Sequence, residues 1–402
     1  MTYARRLQRA TNPGGMQTGG LRNVTIVFFE NRGWVNGAKA VKGDTGHYPY
    51  CNNVLMSQYV YHDNFWCVLD DEAGDAPAIK TGGTGSHTKY LGFVGGSRYS
   101  AVSDIMIAAN PGQGVIFDGT NPTDGVKDGE SLLSLMDAQG VKWAAFLEQL
   151  DAPGVGIGDM TNNGGLYMAR HNGFVSDFAA YNIGSNAATR YGYGGSAPNG
   201  SYVMDAGSTG SFGGLAPAKP TWPNWINELN KTDTNGNYNG AQLTFLGVTS
   251  DNQGHPNGVG TGSWYANDGS GYNDSTATWA YNPDKCIQQV VTTWLTTKAA
   301  TSGKGNLFII WDEGGDRTGL PATLTDRTGR DTPFFLVSDK THNWSGGRAI
   351  TAAANHYGIL ADLQDFFGVY RPGQSGSARY LGHASEGVGI GHGSIAAYLD
   401  HA

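Results

Sequence analysis

The sequence predicts an α/β fold, a central and mostly parallel sheet flanked by helices and carrying long Gly/Asn-rich loops. Three observations support this. Several short apolar runs, each bounded by turn residues, have the unbroken hydrophobicity of strands buried on both faces. Between them, apolar residues recur with helical spacing. The two patterns alternate along 402 residues with no fixed-period repeat and no break in composition. That length allows two or three domains, but the continuous alternation favours one large domain over residues 1–402, with an arm at 1–20 and a core at about 22–385.

The elements follow in chain order. The run VTIVFF at 24–29 reads as the first buried strand, and VKWAAFL at 141–147 as the second. A Gly/Ser/Asn-rich stretch at 184–214 reads as a long surface loop before the strand LTFLGV at 243–248. A second such loop, 252–282, precedes a helix whose Ile287, Val290, Val291 and Trp294 fall on one face. LFIIW at 307–311 and PFFLV at 333–337 read as further buried parallel strands. Ile359, Leu363, Phe366 and Phe367 share the face of a last helix, and Gly368 supplies its C-terminal stop.

Composition narrows the function classes. With 26 Lys plus Arg against 34 Asp plus Glu the net charge is −8, which argues against nucleic acid as a partner because phosphate neutralisation needs a basic face. Charged residues make up 15%, below the roughly 25% of an average domain, while 39% hydrophobic residues suffice for a packed core. No run approaches the roughly 20 apolar residues of a membrane span, so no transmembrane segment is expected. The start, Met1 to Arg9, is basic but has no apolar stretch behind it and does not read as a secretory signal. Cys51, Cys67 and Cys286 are odd in number; a Cys51–Cys67 disulfide and ordinary reduced thiols are equally open. The Asn-x-Ser/Thr triplet at Asn23 sits at the mouth of a strand, where a glycan does not fit.

Acidic residues follow three of the strands. VTIVFF runs into Glu30 and Asn31, LTFLGV is followed by Asp251, and LFIIW runs into Asp312 and Glu313. Ligands of open α/β sheets bind beyond the carboxyl ends of the strands, so these groups are expected to converge on one crevice. Clustered carboxylates repel each other, and a bound cation is the usual remedy; for any single strand, capping the next helix is an equally good reading. Asp251 and His255 have a spacing that closes on one metal, and His356 opens the last helix. Arg170 beside His171 suits phosphate. The remaining histidines, His47, His62, His87, His342, His383, His392 and His401, read as structural. A nucleophile candidate is Ser86, delivered by a Gly-rich turn to a helix start with Tyr90, Leu91 and Val94 as the apolar stripe behind it. There the backbone N–H groups and the helix dipole favour an anion, although simple N-capping explains such a serine as well.

In order, "IVFFENRGW", "SHTKYLGFVGGSRYS", "LLSLMDAQGVKWAAFLEQL" with "YMARHNGF", "FLGVTSDNQGH", "FIIWDEGGD", "TPFFLVSD" and "NHYGILADLQDFFGV" resemble the phosphoesterase family of acid phosphatases and phosphatidylcholine-type phospholipases C, within the alkaline phosphatase superfamily. The resemblance spans about residues 22–385. It implies an alkaline phosphatase-like fold and a metal held by Glu30, Asn31, Asp312 and Glu313, with Ser86 as nucleophile. Asp251, His255 and His356 fall where the superfamily places a second metal, or where histidines contact phosphate directly, so one or two divalent ions (Zn, Ca, Mg or Mn) are implied. His171 is a phosphate or leaving-group contact. Three departures stand out. His87-Thr88-Lys89 replaces a Pro-Asn pair after the serine, so that either Lys89 supplies the phosphoryl contact as a point charge or it faces solvent and that role is vacant; Gly173 replaces a Pro and Gly358 a Ser. Thr88 is the second choice for nucleophile.

The leading expectation is therefore a phosphatase acting on a phosphate ester substrate, specifically phosphomonoesters, through a phosphoserine, in an extracellular or periplasmic setting. A phosphodiesterase or phospholipase C-type enzyme on lipid or polymer is the alternative within the class. No basic amphipathic helix marks a lipid surface, which favours monoesters. The alternative outside it is a non-catalytic virion or cell-surface protein that keeps the fold, for which Gly/Asn/Thr/Tyr-rich loops and low charge also suit.

Overall fold

The computed structural model describes residues 20–29, 32–35, 40–68, 93–96, 131–147, 200–203, 222–248, 278–312, 328–342, 344–381 and 391–399. Its first strands are β1 (Asn23–Phe29), β2 (Val60–His62), β3 (Phe65–Val68), β4 (Trp143–Leu147), β5 (Gly200–Val203) and β6 (Leu243–Gly247). They are followed by β7 (Gly305–Trp311), β8 (Thr328–Asp331), β9 (Phe334–Val337), β10 (Ala349–Ile350) and β11 (Ala354–Asn355). The longer helices are α1 (Leu132–Ala138), α2 (Pro223–Leu229), α3 (Thr278–Trp294) and α4 (His356–Phe367). Among the described residues eight strands form the main sheet in the order β10-β2-β9-β7-β1-β6-β4-β5, and β11-β3-β8 form a second, three-stranded sheet.

Every pairing from β5 through β4, β6 and β1 to β7 is parallel. The strand β9 runs antiparallel to both β7 and β2. That corrects the parallel reading of PFFLV, and the cause is general: a strand buried on both faces is apolar throughout, whichever way it runs. Its Phe334 and Leu336 face one core cluster while Phe335 and Val337 face the other. The loop expected at 184–214 contains β5, which pairs β4 along the sheet edge. That strand, GSYV, is too short and too Gly/Ser-rich to read as a run. Likewise α3 begins at Thr278, inside the stretch read as loop to 282.

Successive side chains of a strand point to opposite faces, and this alternation divides the core in two. Val24, Ile26, Phe28, Leu243, Phe245, Phe308 and Ile310 pack with α1 and α4. Val27, Phe29, Leu246, Leu307, Ile309 and Trp311 pack with α2 and α3. Each such fully buried side chain contributes about 1.5–3 kcal/mol by leaving water, which outweighs any propensity term in these short strands. A polar bridge crosses the second layer: the Trp294 indole N–H donates to Thr25 Oγ1 at 3.2 Å, and Thr25 shares a 2.8 Å hydroxyl bond with Thr244.

Local chemistry sets the helix ends. Ser131 and Ser134 cap α1 reciprocally, each side chain accepting the other's backbone N–H. Asn355 caps α4 by accepting the Gly358 N–H at 3.0 Å, and Gly368 ends it with φ 71°. At a distance in sequence, the buried Asp284 of α3 accepts the backbone N–H groups of Tyr50 and Cys51, each at 2.9 Å, and so caps the helical turn Cys51–Leu55. Cys51, Cys67 and Cys286 are free and buried, so the Cys51–Cys67 disulfide is not formed. Asn23 is 1% exposed and donates to the Ala299 carbonyl at 3.0 Å, leaving no room for a glycan. Among the described residues no helix is long and apolar enough to cross a membrane.

Candidate functional site

The three strands that run toward acidic residues are immediate neighbours. In the order β6-β1-β7 they are mutually parallel, with Val27 opposite Leu246 and Phe29 opposite Trp311. Their carboxyl ends therefore lie side by side at one edge of the sheet, where open α/β sheets place ligands. The Asp312 N–H donates to the Phe29 carbonyl at 3.0 Å, so the first residue beyond β7 is tied to the last residue of β1. Asp312 is wholly buried.

At the same end, His356 opens α4 with its ring fully buried. Its Nε2 lies 3.1 Å from the Trp311 carbonyl oxygen. A carbonyl only accepts, so Nε2 carries the proton, and in the neutral ring the lone pair is on Nδ1. Phe28, Phe65 and Phe93 surround the imidazole with centroids 6.3, 5.4 and 5.8 Å away. Phe93 belongs to the helical turn at 93–95, on the segment that follows Ser86, and also meets Phe28 edge-on at 5.0 Å. Val94, part of the stripe expected behind Ser86, is buried in the same cluster. Residues 93–96 thus meet the sheet at the end where β1 and β7 finish.

Beyond Asn31 the chain is held by buried and half-buried partners. Arg32 Nε donates to the Tyr48 hydroxyl at 3.0 Å, both residues being buried. Burial raises the Tyr48 phenol above its ordinary range, so it stays neutral and able to accept. The Trp34 indole donates to Asp63 at 2.7 Å, Lys42 pairs with the same carboxylate, and the Val35 N–H donates to Asp331 at 2.8 Å. These contacts hold the chain immediately after Glu30 and Asn31.

The structure brings together two members of the expected set, Asp312 and His356, through the Trp311 carbonyl between them. Glu30, Asn31, Ser86, Lys89, Arg170, His171, Asp251, His255 and Glu313 lie outside the described residues. For the implied metal, Asp312 fits: it is a buried carboxylate at the shared end of two strands, an oxygen donor of the kind divalent cations take. Among the described residues no three His, Cys, Asp or Glu side chains gather into a metal cluster. Of the histidines read as structural, His62 is packed against Phe65 and Phe334, and burial lowers its pKa to about 3. His47 bonds Asp44, His342 packs at a tilt against Tyr59, and His392 bonds Asp365.

Residues that sequence reasoning missed include Tyr48, Thr332 and Pro333. Tyr48 carries no motif and becomes relevant only when Arg32 reaches it. Thr332 Oγ1 donates to the same Trp311 carbonyl as His356, at 3.3 Å. The Thr-Pro pair at the head of β9 was the available signal.

No protein-family model matches the chain, and no curated protein matches it. Among solved structures it is similar to a protein in the alkaline phosphatase superfamily from Vibrio parahaemolyticus, with TM-score 0.44 and 13% identity over 92% of this chain and 76% of that one. It is also similar to the lipoteichoic acid synthase LtaP from Listeria monocytogenes, with TM-score 0.42 and 11% identity over 96% and 81% of the two chains. A third is the C-terminal periplasmic domain of EcEptC from Escherichia coli in complex with Zn, with TM-score 0.44 and 12% identity over 91% and 87%.

Proposed function

We propose that the chain is a metal-dependent phosphoric ester hydrolase, acid phosphatase-like, which cleaves phosphomonoesters through a phosphoserine at Ser86 and forms one domain. The observation that carries this reading is the adjacency of β6, β1 and β7 in parallel register. Because these strands are parallel neighbours, the residues that follow β6, β1 and β7 emerge side by side at one end of the sheet, which supports a shared site.

In this reading Glu30, Asn31, Asp312 and Glu313 hold a divalent cation, and Asp251 with His255 hold a second or contact phosphate. When bound, the cation lowers the pKa of the serine hydroxyl and offsets the charge of the phosphate. Ser86 Oγ attacks phosphorus, the phosphorus–oxygen bond to the alcohol breaks, and the phosphoryl group is carried on the serine. Water then attacks the same phosphorus from the opposite side, releasing inorganic phosphate and restoring the hydroxyl. Arg170 and Lys89 supply positive charge to the phosphoryl oxygens, and His171 contacts the phosphate or the leaving oxygen. The protein works in an extracellular or periplasmic setting.

The test compares a chromogenic phosphomonoester with the corresponding bis-ester, using the full chain before and after a chelator and after Zn2+ or Mn2+ is returned. The expected result is monoester turnover that the chelator abolishes and the metal restores. Faster bis-ester turnover reassigns the enzyme to phosphodiester or phospholipase C-type chemistry. No turnover of either ester at any metal loading leaves a binding or structural protein and overturns the proposal.

A further inference from the structure

Resting on the phosphoesterase reading, we infer that Thr332 and His356 are positioning residues that together hold the peptide joining Trp311 to Asp312, and so aim the Asp312 ligand. The requirement for them arises at Pro333. In the antiparallel pairing of β7 with β9, Ile310 stands opposite Phe334, so the next pair is Trp311 with Pro333. The Trp311 N–H donates to the Pro333 carbonyl at 3.4 Å. Such a pair ordinarily exchanges two hydrogen bonds, but proline has no N–H to return. The Trp311 carbonyl is thereby left without its ladder donor inside a fully buried strand end.

Two side chains fill the vacancy. His356 Nε2–H donates to that oxygen at 3.1 Å and Thr332 Oγ1–H at 3.3 Å, both from fully buried residues. They reach it from different elements: His356 from the first turn of α4, Thr332 from the head of β9. Thr332 is itself anchored, its N–H donating to the Phe65 carbonyl at 2.9 Å. A carbonyl and the next residue's N–H share one rigid plane. Fixing the Trp311 oxygen on one side and the Asp312 N–H against Phe29 on the other therefore fixes the orientation of the chain as Asp312 begins. A ladder bond from β9 alone would satisfy the carbonyl equally well, but it would not tie α4 to the metal-ligating end of β7. In this arrangement His356 acts through backbone rather than on substrate.

The experiment measures Zn2+ and Mn2+ affinity of the full chain, each metal alone, by competition with a chromogenic chelator, for Thr332→Val, Thr332→Ser, His356→Gln and His356→Phe. Outer-shell positioning groups typically govern metal affinity by about 10–100-fold. Thr332→Val and His356→Phe are expected to lose affinity in that range while unfolding as single cooperative species. Thr332→Ser keeps the hydroxyl, and His356→Gln keeps a donor at the Nε2 position while removing Nδ1; both are expected within a few-fold of wild type. Amide exchange at Asp312 in the metal-free protein should accelerate in Thr332→Val and stay slow in Thr332→Ser, a readout that survives even where a variant is too weak to load metal. Equal affinity and equal Asp312 exchange in Thr332→Val and wild type overturn the positioning role alone. His356→Gln as deficient as His356→Phe makes His356 a direct ligand through Nδ1 and also overturns it. A wild-type chain that binds neither metal removes the phosphoesterase reading itself.

Discussion

Gly96 and Gly368 adopt nearly the same left-handed backbone, φ 70° and 71°, but in different surroundings. A Cβ at Gly368 would meet nothing within 4 Å, so Gly368→Ala carries only the left-handed penalty, about 1 kcal/mol. A Cβ at Gly96 would lie 2.3 Å from the Leu381 carbonyl oxygen and 2.6 Å from its carbon. That carbonyl cannot retreat cheaply, because the Leu381 N–H is held by the buried Gln364 side chain at 2.9 Å. Overpacking of this kind adds about 1–3 kcal/mol, so Gly96→Ala is expected to cost about 2–4 kcal/mol in total. Urea unfolding followed by tryptophan fluorescence reads the difference as a lower midpoint at unchanged slope. Gly96 also closes the turn that presses Phe93 onto Phe28 and His356. If the chain is the phosphoesterase proposed above, Gly96→Ala should also lower kcat of the folded protein, whereas Gly368→Ala should leave it near wild type. Equal stability loss in the two variants would refute the close approach of this turn to Leu381, and with it the packing of residues 93–96 against the sheet end.

Two further outcomes follow from buried carboxylates. Asp284→Ala strands the Tyr50 and Cys51 N–H groups in the core, and a loss of about 2–4 kcal/mol is expected in thermal or urea unfolding, with faster amide exchange confined first to 51–58. The segment 391–399 is held to α4 by the Gly393 N–H on Asp362 and by His392 on Asp365. Burial raises the Asp362 pKa from 3.8 to about 7, and the hydrogen bond to Asp365 raises that of His392 above 6.5. Both groups hold protons longer in the folded state, so their stabilisation is complete in acid and is lost as pH rises through their folded pKa values. Between pH 5 and 8 the protection of amides in 391–399 should fall by on the order of 2 kcal/mol; Asp362→Asn should remove most of that dependence, and a flat profile in the wild type would contradict the account.

The parts of the fold that were legible in the sequence are those governed by burial. The strands β1, β6 and β7 are covered by helices on both faces, so they appear as the unbroken runs VTIVFF, LTFLG and LFIIW. The stripe on α4 was equally plain because Gly368 and Asn355 mark its ends. Direction was not legible for β9, since two-sided burial hides it, and β2, β10 and β11 are too short to show any period. At the site, the convergence of Asp312 with the end of β1 followed from acidic residues at strand ends. The role of Thr332 did not, because the Thr-Pro pair acquires it only once Pro333 stands opposite Trp311, a pairing between residues distant in sequence.

The most direct test of the central claim is intact-mass and peptide analysis of metal-loaded protein quenched in acid during turnover of excess chromogenic phosphomonoester. The account predicts one phosphoryl group per chain, located on Ser86 and absent from Ser86→Ala, which retains its metal and loses turnover. Steady turnover in Ser86→Ala, or a phosphoryl group located on Thr88 or on a histidine instead, would contradict it.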